Sequence, residues 1–303
     1  MLKEKIKANK SGILLYGIVP PKANLDESEI FRISQIHKNR IESLEIDGVV
    51  IYDLQDESAR TGEKRTFEFI KTIDPQIYYE NYLKTHKEAI IYRAVGKYEK
   101  ENFTQILKKS QTNLSVFVGA SSKNQEISLS LNDAYKLKRE FAPNLTIGGI
   151  CIPERHEKMQ NEHLKVAQKS ALGCEFFITQ AVYNAENAKN FIDDYSKIGI
   201  KKVPIIFTFT PCGNIKTLEF MKWLGISVPD FLENRLRNSV DILQSSVALS
   251  AEMFDFLYKY GLAKGVSIGA NVESVSTRKV EIEASLELLA KIKKIIVKKE
   301  NGI

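Results

Sequence analysis

The sequence predicts a (β/α)8 TIM barrel with extra helices before the last strand. Two observations carry this. Eight short apolar runs alternate with stretches of helical period along the chain. Alternating strand and helix units give a parallel sheet, and eight of them close a barrel. The first strand-to-helix turn also lacks the GxGxxG that marks a dinucleotide-binding open sheet, although a doubly wound sheet is the alternative that the runs themselves allow. No Gly-, Ser- or Pro-rich linker divides the chain, so residues 1–303 are expected to form one barrel domain.

Taken in order, Ile13 to Val19 is the first strand, closed by Pro20-Pro21, since two prolines cannot continue a central strand. Asp26 can cap a helix to Glu45, with Ile30, Ile33, Ile36, Ile41 and Leu44 as its apolar face. Gly48 to Tyr52 is the second strand, followed by the charged segment DLQDESARTGEKR, and Pro75 to Thr85 reads as a helix. Ala89 to Val95, Leu114 to Val118 and Thr146 to Cys151 are strands three to five, with helices at Glu99 to Lys109 and Leu131 to Phe141. The fifth strand leads through Pro153 into a charged turn, Glu154-Arg155-His156. An amphipathic helix then stops at Gly173 before strand six, Phe176 to Ile178. Asn184 to Ile198 is a helix and Val203 to Thr208 the seventh strand. Pro229 to Tyr260 holds two or three helices, Gly265 to Gly269 is the eighth strand, and a terminal helix runs from Val280 to Val297.

Composition narrows the function classes. The chain is 43% hydrophobic and 27% charged, with 44 basic residues interleaved among 38 acidic ones. Neither a basic face nor a recognition motif points to nucleic acid, and no apolar run is long enough to span a membrane. Cys151, Cys174 and Cys212 are odd in number and lack CxxC spacing, so neither disulfides nor a metal centre are expected, and a reducing cytoplasm is the expected setting.

In a parallel barrel the chemistry gathers at the carboxyl ends of the strands. Those ends carry Asp53, Gln55, Asp56, Glu57 and Arg60, then Arg93, Ser121 and Ser122. They also carry Glu154, Arg155 and His156, Thr179 and Gln180, Thr208, and Asn271, Glu273 and Ser274. Carboxylates, guanidiniums and amides around one mouth suit a large polar ligand with phosphates or a heteroaromatic edge. Gln180 ends the apolar run FFITQ, and a carboxamide there presents both a donor and an acceptor, as a pterin or pyrimidine edge requires.

The segments GGICIPERH, ALGCEFFITQ, PIIFTFTP and LGISVPDFLENRL resemble the methylenetetrahydrofolate reductase family, in matching order from about Gly12 to Ala263. The resemblance implies a barrel containing FAD. It implies transfer of a hydride from NAD(P)H or another reductant to 5,10-methylenetetrahydrofolate, giving 5-methyltetrahydrofolate. It assigns Lys169 to the flavin phosphates and Gln180 to the folate pterin. His156, Glu154 and Arg93 are expected on the cofactor's side, and Thr179 and Asn271 on the substrate's.

This chain departs from the family where proton chemistry is done. Gly17 stands where the family has the glutamate that helps open the imidazolidine ring, and Val118-Gly119-Ala120 replaces an Arg-Gly-Asp segment. Ile152 replaces an aromatic residue, and Ile91-Tyr92-Arg93 replaces His-Leu-Thr. Asp56 and Glu273 are the candidate replacement acids. The alternatives are a flavin-free folate or pterin one-carbon enzyme, and a non-catalytic folate-binding or regulatory subunit. A homo-oligomer and a partner protein are both open.

Overall fold

The computed structural model describes residues 1–56, 68–110, 114–120 and 126–300. Glu57, Arg60, Ser121 and Ser122 from the expected mouth lie outside the described residues. The strands are β1 (Leu14–Ile18), β2 (Gly48–Ile51), β3 (Glu88–Ala94), β4 (Leu114–Val118), β5 (Thr146–Cys151), β6 (Cys174–Ala181), β7 (Ile205–Phe209) and β8 (Ile268–Val272). They are parallel and close into a barrel in sequence order, with β1 pairing both β2 and β8. The predicted (β/α)8 barrel is the observed fold.

The helices among the described residues are α1 (Leu2–Lys7), α2 (Glu27–Glu42), α3 (Pro75–Ile77), α4 (Lys100–Lys109), α5 (Leu131–Phe141), α6 (Pro153–Met159), α7 (Glu162–Ala171), α8 (Ala185–Lys197), α9 (Ile215–Trp223), α10 (Asp230–Arg237), α11 (Ile242–Ala263) and α12 (Lys279–Glu300). α3 continues into a wider helical turn, Tyr78–Leu83. Three helices, α9 to α11, stand between β7 and β8 where the repeat needs one, so two are extra, as the long interval predicts. No described helix is long and apolar enough to cross a membrane.

Strand residues alternate between two cores. Leu15, Val50, Ile90, Tyr92, Val116, Phe176, Ile178 and Ile206 fill the barrel interior. Their neighbours Tyr16, Val49, Ile51, Ile91, Phe117, Phe177, Ile205 and Phe207 face the helices. The basic N-terminus forms the helix α1. Its Leu2 and Ile6 are buried beneath the interior core and close the bottom of the barrel. A six-residue helix is unstable alone, so its signal lies in this docking and not in its own propensity.

Two boundaries shift in ways that matter for the site. α6 starts at Pro153, a residue preorganised for the first helical position, so Glu154, Arg155 and His156 are helical and not a solvated turn. β8 begins three residues later than predicted. Gly265, at φ +69, ends the turn after α11, and the strand then runs on through Asn271. Asn271 is therefore buried within the strand.

The interior is close-packed at Gly148, where a Cβ would lie 2.5 Å from the Phe176 ring. Gly148→Ala is expected to force that ring aside and cost about 1–3 kcal/mol. Thermal unfolding checks this, and an unchanged midpoint would show that the interior has slack.

Candidate active site

The carboxyl ends of the strands surround a cavity of about 500 Å³. One wall is acidic and aromatic. Tyr52, just past β2, lies across Gly17 of β1, and a Cβ on Gly17 would meet the Tyr52 ring at 2.8 Å and Glu273 Cβ at 3.1 Å. Asn271 Nδ2 donates to the Tyr52 hydroxyl at 2.7 Å and approaches Thr208 Oγ1 at 3.2 Å. The Tyr52 hydroxyl is in turn hydrogen-bonded to the Glu273 carboxyl group. Tyr92 meets Tyr52 edge to face at 4.7 Å. Burial raises the Glu273 pKa to about 7, with the bond from Tyr52 pulling the other way. Glu273 thus carries its proton for a large fraction of the time at neutral pH, as an acid catalyst requires.

A second wall is polar. Thr179 and Gln180 lie where the β6–β7 register shifts, between Ile178 and Ala181. The Thr179 hydroxyl replaces the missing ladder partner, accepting from Thr208 N at 3.0 Å and donating to the Gln180 carbonyl at 2.7 Å. Such irregularities re-aim side chains beside active sites. Gln180 Nε2 donates to the Leu224 carbonyl at 2.7 Å, which fixes the amide against the cavity. Phe220 and Trp223 stack on each other in α9 and complete this side.

The third wall is cationic. Glu162, Lys165 and Lys169 repeat at helical spacing along α7 and line the cavity with Arg155 of α6. Glu162 accepts from Ile152 N at 2.9 Å and pairs with Lys165 at 3.1 Å. Lys169 Nζ donates to the Ile150 carbonyl at 2.7 Å. α7 is thereby held against the end of β5.

The expected site residues divide. Glu273, Gln180, Thr179 and Lys169 line one cavity. Asn271 stands behind it, supporting Tyr52. Asp56 is exposed just beyond Gln55, where the lining ends. Asp53 is used structurally, accepting from Ala94 N at 2.8 Å and from Lys97. Arg93 alternates with the inward Tyr92 and points to the outer layer. There its buried guanidinium donates to Gln76 at 2.7 Å and Ser110 at 3.3 Å, so it does not belong to the mouth. Glu154 and His156 are buried on α6 and do not line the cavity. Tyr52, Glu162 and Lys165 were not singled out from the sequence. The i, i+3, i+7 spacing of Glu162, Lys165 and Lys169 was the available signal.

The model of the methylenetetrahydrofolate reductase family matches residues 120–270. A solved structure, an uncharacterized protein from Clostridium thermocellum that binds two copies of 5-methyl-5,6,7,8-tetrahydrofolic acid, is 52% identical. The match covers 97% of this chain and 100% of that one, with a TM-score of 0.86. The chain belongs to the methylenetetrahydrofolate reductase family. An endo-1,4-beta-xylanase from Caldicellulosiruptor owensensis is 11% identical over 91% of this chain and 88% of its own, at a TM-score of 0.48, too remote to carry any argument. No curated protein matches the chain. The family assignment makes Gly17 and Glu273 the informative pair. The space above Gly17, where the resemblance puts the family's glutamate, is filled here by Tyr52 and by the glutamate of the neighbouring strand.

Glu154 supplies a check on the buried electrostatics. Neither of its carboxylate oxygens has a hydrogen-bond partner, and burial raises its pKa to about 8. Its native form holds a proton that the unfolded chain releases near the ordinary carboxylate value, so its contribution to stability falls as pH rises toward 8. Glu154→Gln removes that slope. The variant is expected to gain on wild type between about pH 5 and pH 8, by roughly 1–3 kcal/mol at the upper end. Denaturant melts across that range measure it, and parallel pH profiles for the two proteins would contradict it.

Proposed function

We propose that the mouth binds a reduced folate and that Glu273 is the acid of a one-carbon reaction on it. The observation that carries this is the Gly17–Tyr52–Glu273 arrangement, which puts a carboxyl group of near-neutral pKa beside the position of the family's missing glutamate. The related Clostridium thermocellum protein, which binds 5-methyl-5,6,7,8-tetrahydrofolic acid, supports the ligand class. Gln180 is suited to the pterin edge, Tyr52, Tyr92 and Trp223 to its faces, and Arg155, Lys165 and Lys169 to the carboxylates of the glutamate tail. Protonated Glu273 would donate to a folate nitrogen as the imidazolidine ring opens. Tyr52, held by Asn271, keeps the carboxyl group aimed at the cavity.

The flavin-dependent reductase is the second reading, favoured by the same three cations, which would also suit a diphosphate. The fit to FAD is partial. Of Arg93, Glu154, His156 and Lys169, only Lys169 lines the cavity. When bound, FAD would supply the hydride, taken from NAD(P)H or another reductant. Addition of FAD to the purified protein separates the readings. A bound flavin spectrum supports the reductase, and folate binding without flavin uptake supports the flavin-free one-carbon enzyme.

Calorimetry with 5-methyl-5,6,7,8-tetrahydrofolic acid tests the proposal common to both. Because a carboxyl group donates only while protonated, affinity should fall as pH rises through about 7. Glu273→Ala should weaken binding about 2- to 10-fold, the loss of one hydrogen bond, and Glu273→Gln, whose amide donates at every pH, should flatten that dependence. In any turnover that needs the acid, either variant should lose about 10²–10⁴-fold. A wild-type affinity that is level across pH 7 and unaltered by either substitution would remove Glu273 from the site.

A further inference from the structure

Behind the cationic wall, three helices bring together two of the chain's four histidines and one carboxylate. His156 of α6, His163 of α7 and Asp194 of α8 each offer one ligand atom, and these atoms lie within 4.8 Å of one another. His156 Nε2 is 3.1 Å from Asp194 Oδ2. The two imidazoles meet edge to face with centroids 5.2 Å apart. His156 is only 3% exposed, and the Nδ1 atoms of both histidines are buried with no hydrogen-bond partner among the described residues.

An unpartnered buried ring nitrogen such as His163 Nδ1 is costly unless something coordinates or bonds it, and His156 turns its Nε2 toward Asp194. Two imidazoles and a carboxylate suit zinc or a similar borderline ion, which takes such ligands at about 2.0–2.2 Å. Ligand atoms of a tetrahedral site then stand roughly 3.3 Å apart. The His156–Asp194 separation already meets this, and the His163 ligand atom lies within 4.8 Å of the other two. The Phe191 ring meets His156 at 6.0 Å and shields it, while Lys197 Nζ holds the other Asp194 oxygen at 3.1 Å and orients the carboxylate.

We propose that His156, His163 and Asp194 form a site for one divalent transition-metal ion of the zinc type, with a fourth position left to water. The ion ties α6, α7 and α8 together behind Arg155, Lys165 and Lys169. It is independent of the reading of the mouth, because none of its three ligands lines the cavity.

Untagged full-length protein titrated with Zn²⁺ against a chromophoric chelator tests the site, with Co²⁺ absorption reporting the ligand geometry. Wild type should bind one equivalent and unfold at higher temperature with Zn²⁺ than without. His163→Ala and Asp194→Asn, at half-buried positions, should each lose at least tenfold in affinity and the thermal gain. His86→Ala, at an exposed histidine, should keep both. The proposal is overturned if wild type takes up no Zn²⁺, if the two ligand variants bind as tightly as wild type, or if His86→Ala is the variant that loses the ion.

Discussion

The mouth of this barrel depends on one packing constraint, the seating of the Tyr52 ring on Gly17. A side chain on β1 at that point would collide with the ring, so the tyrosine and the glycine require each other. The ring's position in turn fixes the polar chain from Asn271 through the Tyr52 hydroxyl to Glu273. Burial in that chain is what raises the Glu273 carboxyl toward neutrality. Glu273, the residue after β8, thus stands with Tyr52 over Gly17, a position on β1 that carries no side chain.

Around that constraint the barrel assigns separate tasks to separate segments. The register shift between β6 and β7 turns Thr179 and Gln180 to the cavity and holds the threonine hydroxyl in the ladder. The Glu162 bond to Ile152 N and the Lys169 bond to the Ile150 carbonyl fix α7 to the end of β5. Cations on one wall and an acid on the other give the proposed folate a single sensible orientation, tail toward α7 and pterin toward β8. The proposed metal site would stiffen the same α6–α7 segment from behind.

Much of the fold was legible in the sequence, because strand and helix periods persist in short apolar runs whatever the tertiary context. The docking of α1 was not, since six residues carry too little periodicity. The exact span of β8 was not, since Gly265 and the following residues fit either a turn or a strand. Of the cavity lining, Glu273, Gln180 and Thr179 were legible from their places at strand ends, and Lys169 only through the family resemblance. Arg93 was misplaced because a strand's alternation, not its nearness to the end, decides which way a side chain points. Tyr52 was hidden as one more aromatic in an apolar run. The cluster of His156, His163 and Asp194 was hidden by chain separation, joining three helices whose facing sides only the packed structure reveals.

The central claim is that the acid of this mouth is carried by β8 and not by β1. The most direct measurement is a crystal structure of the protein with 5-methyl-5,6,7,8-tetrahydrofolic acid. The account predicts a pterin inside the mouth, with Glu273 and Gln180 both within hydrogen-bond distance and the glutamate tail along Arg155, Lys165 and Lys169. A pterin bound in the mouth with Glu273 turned away from it, or folate bound only outside the mouth, would contradict the account.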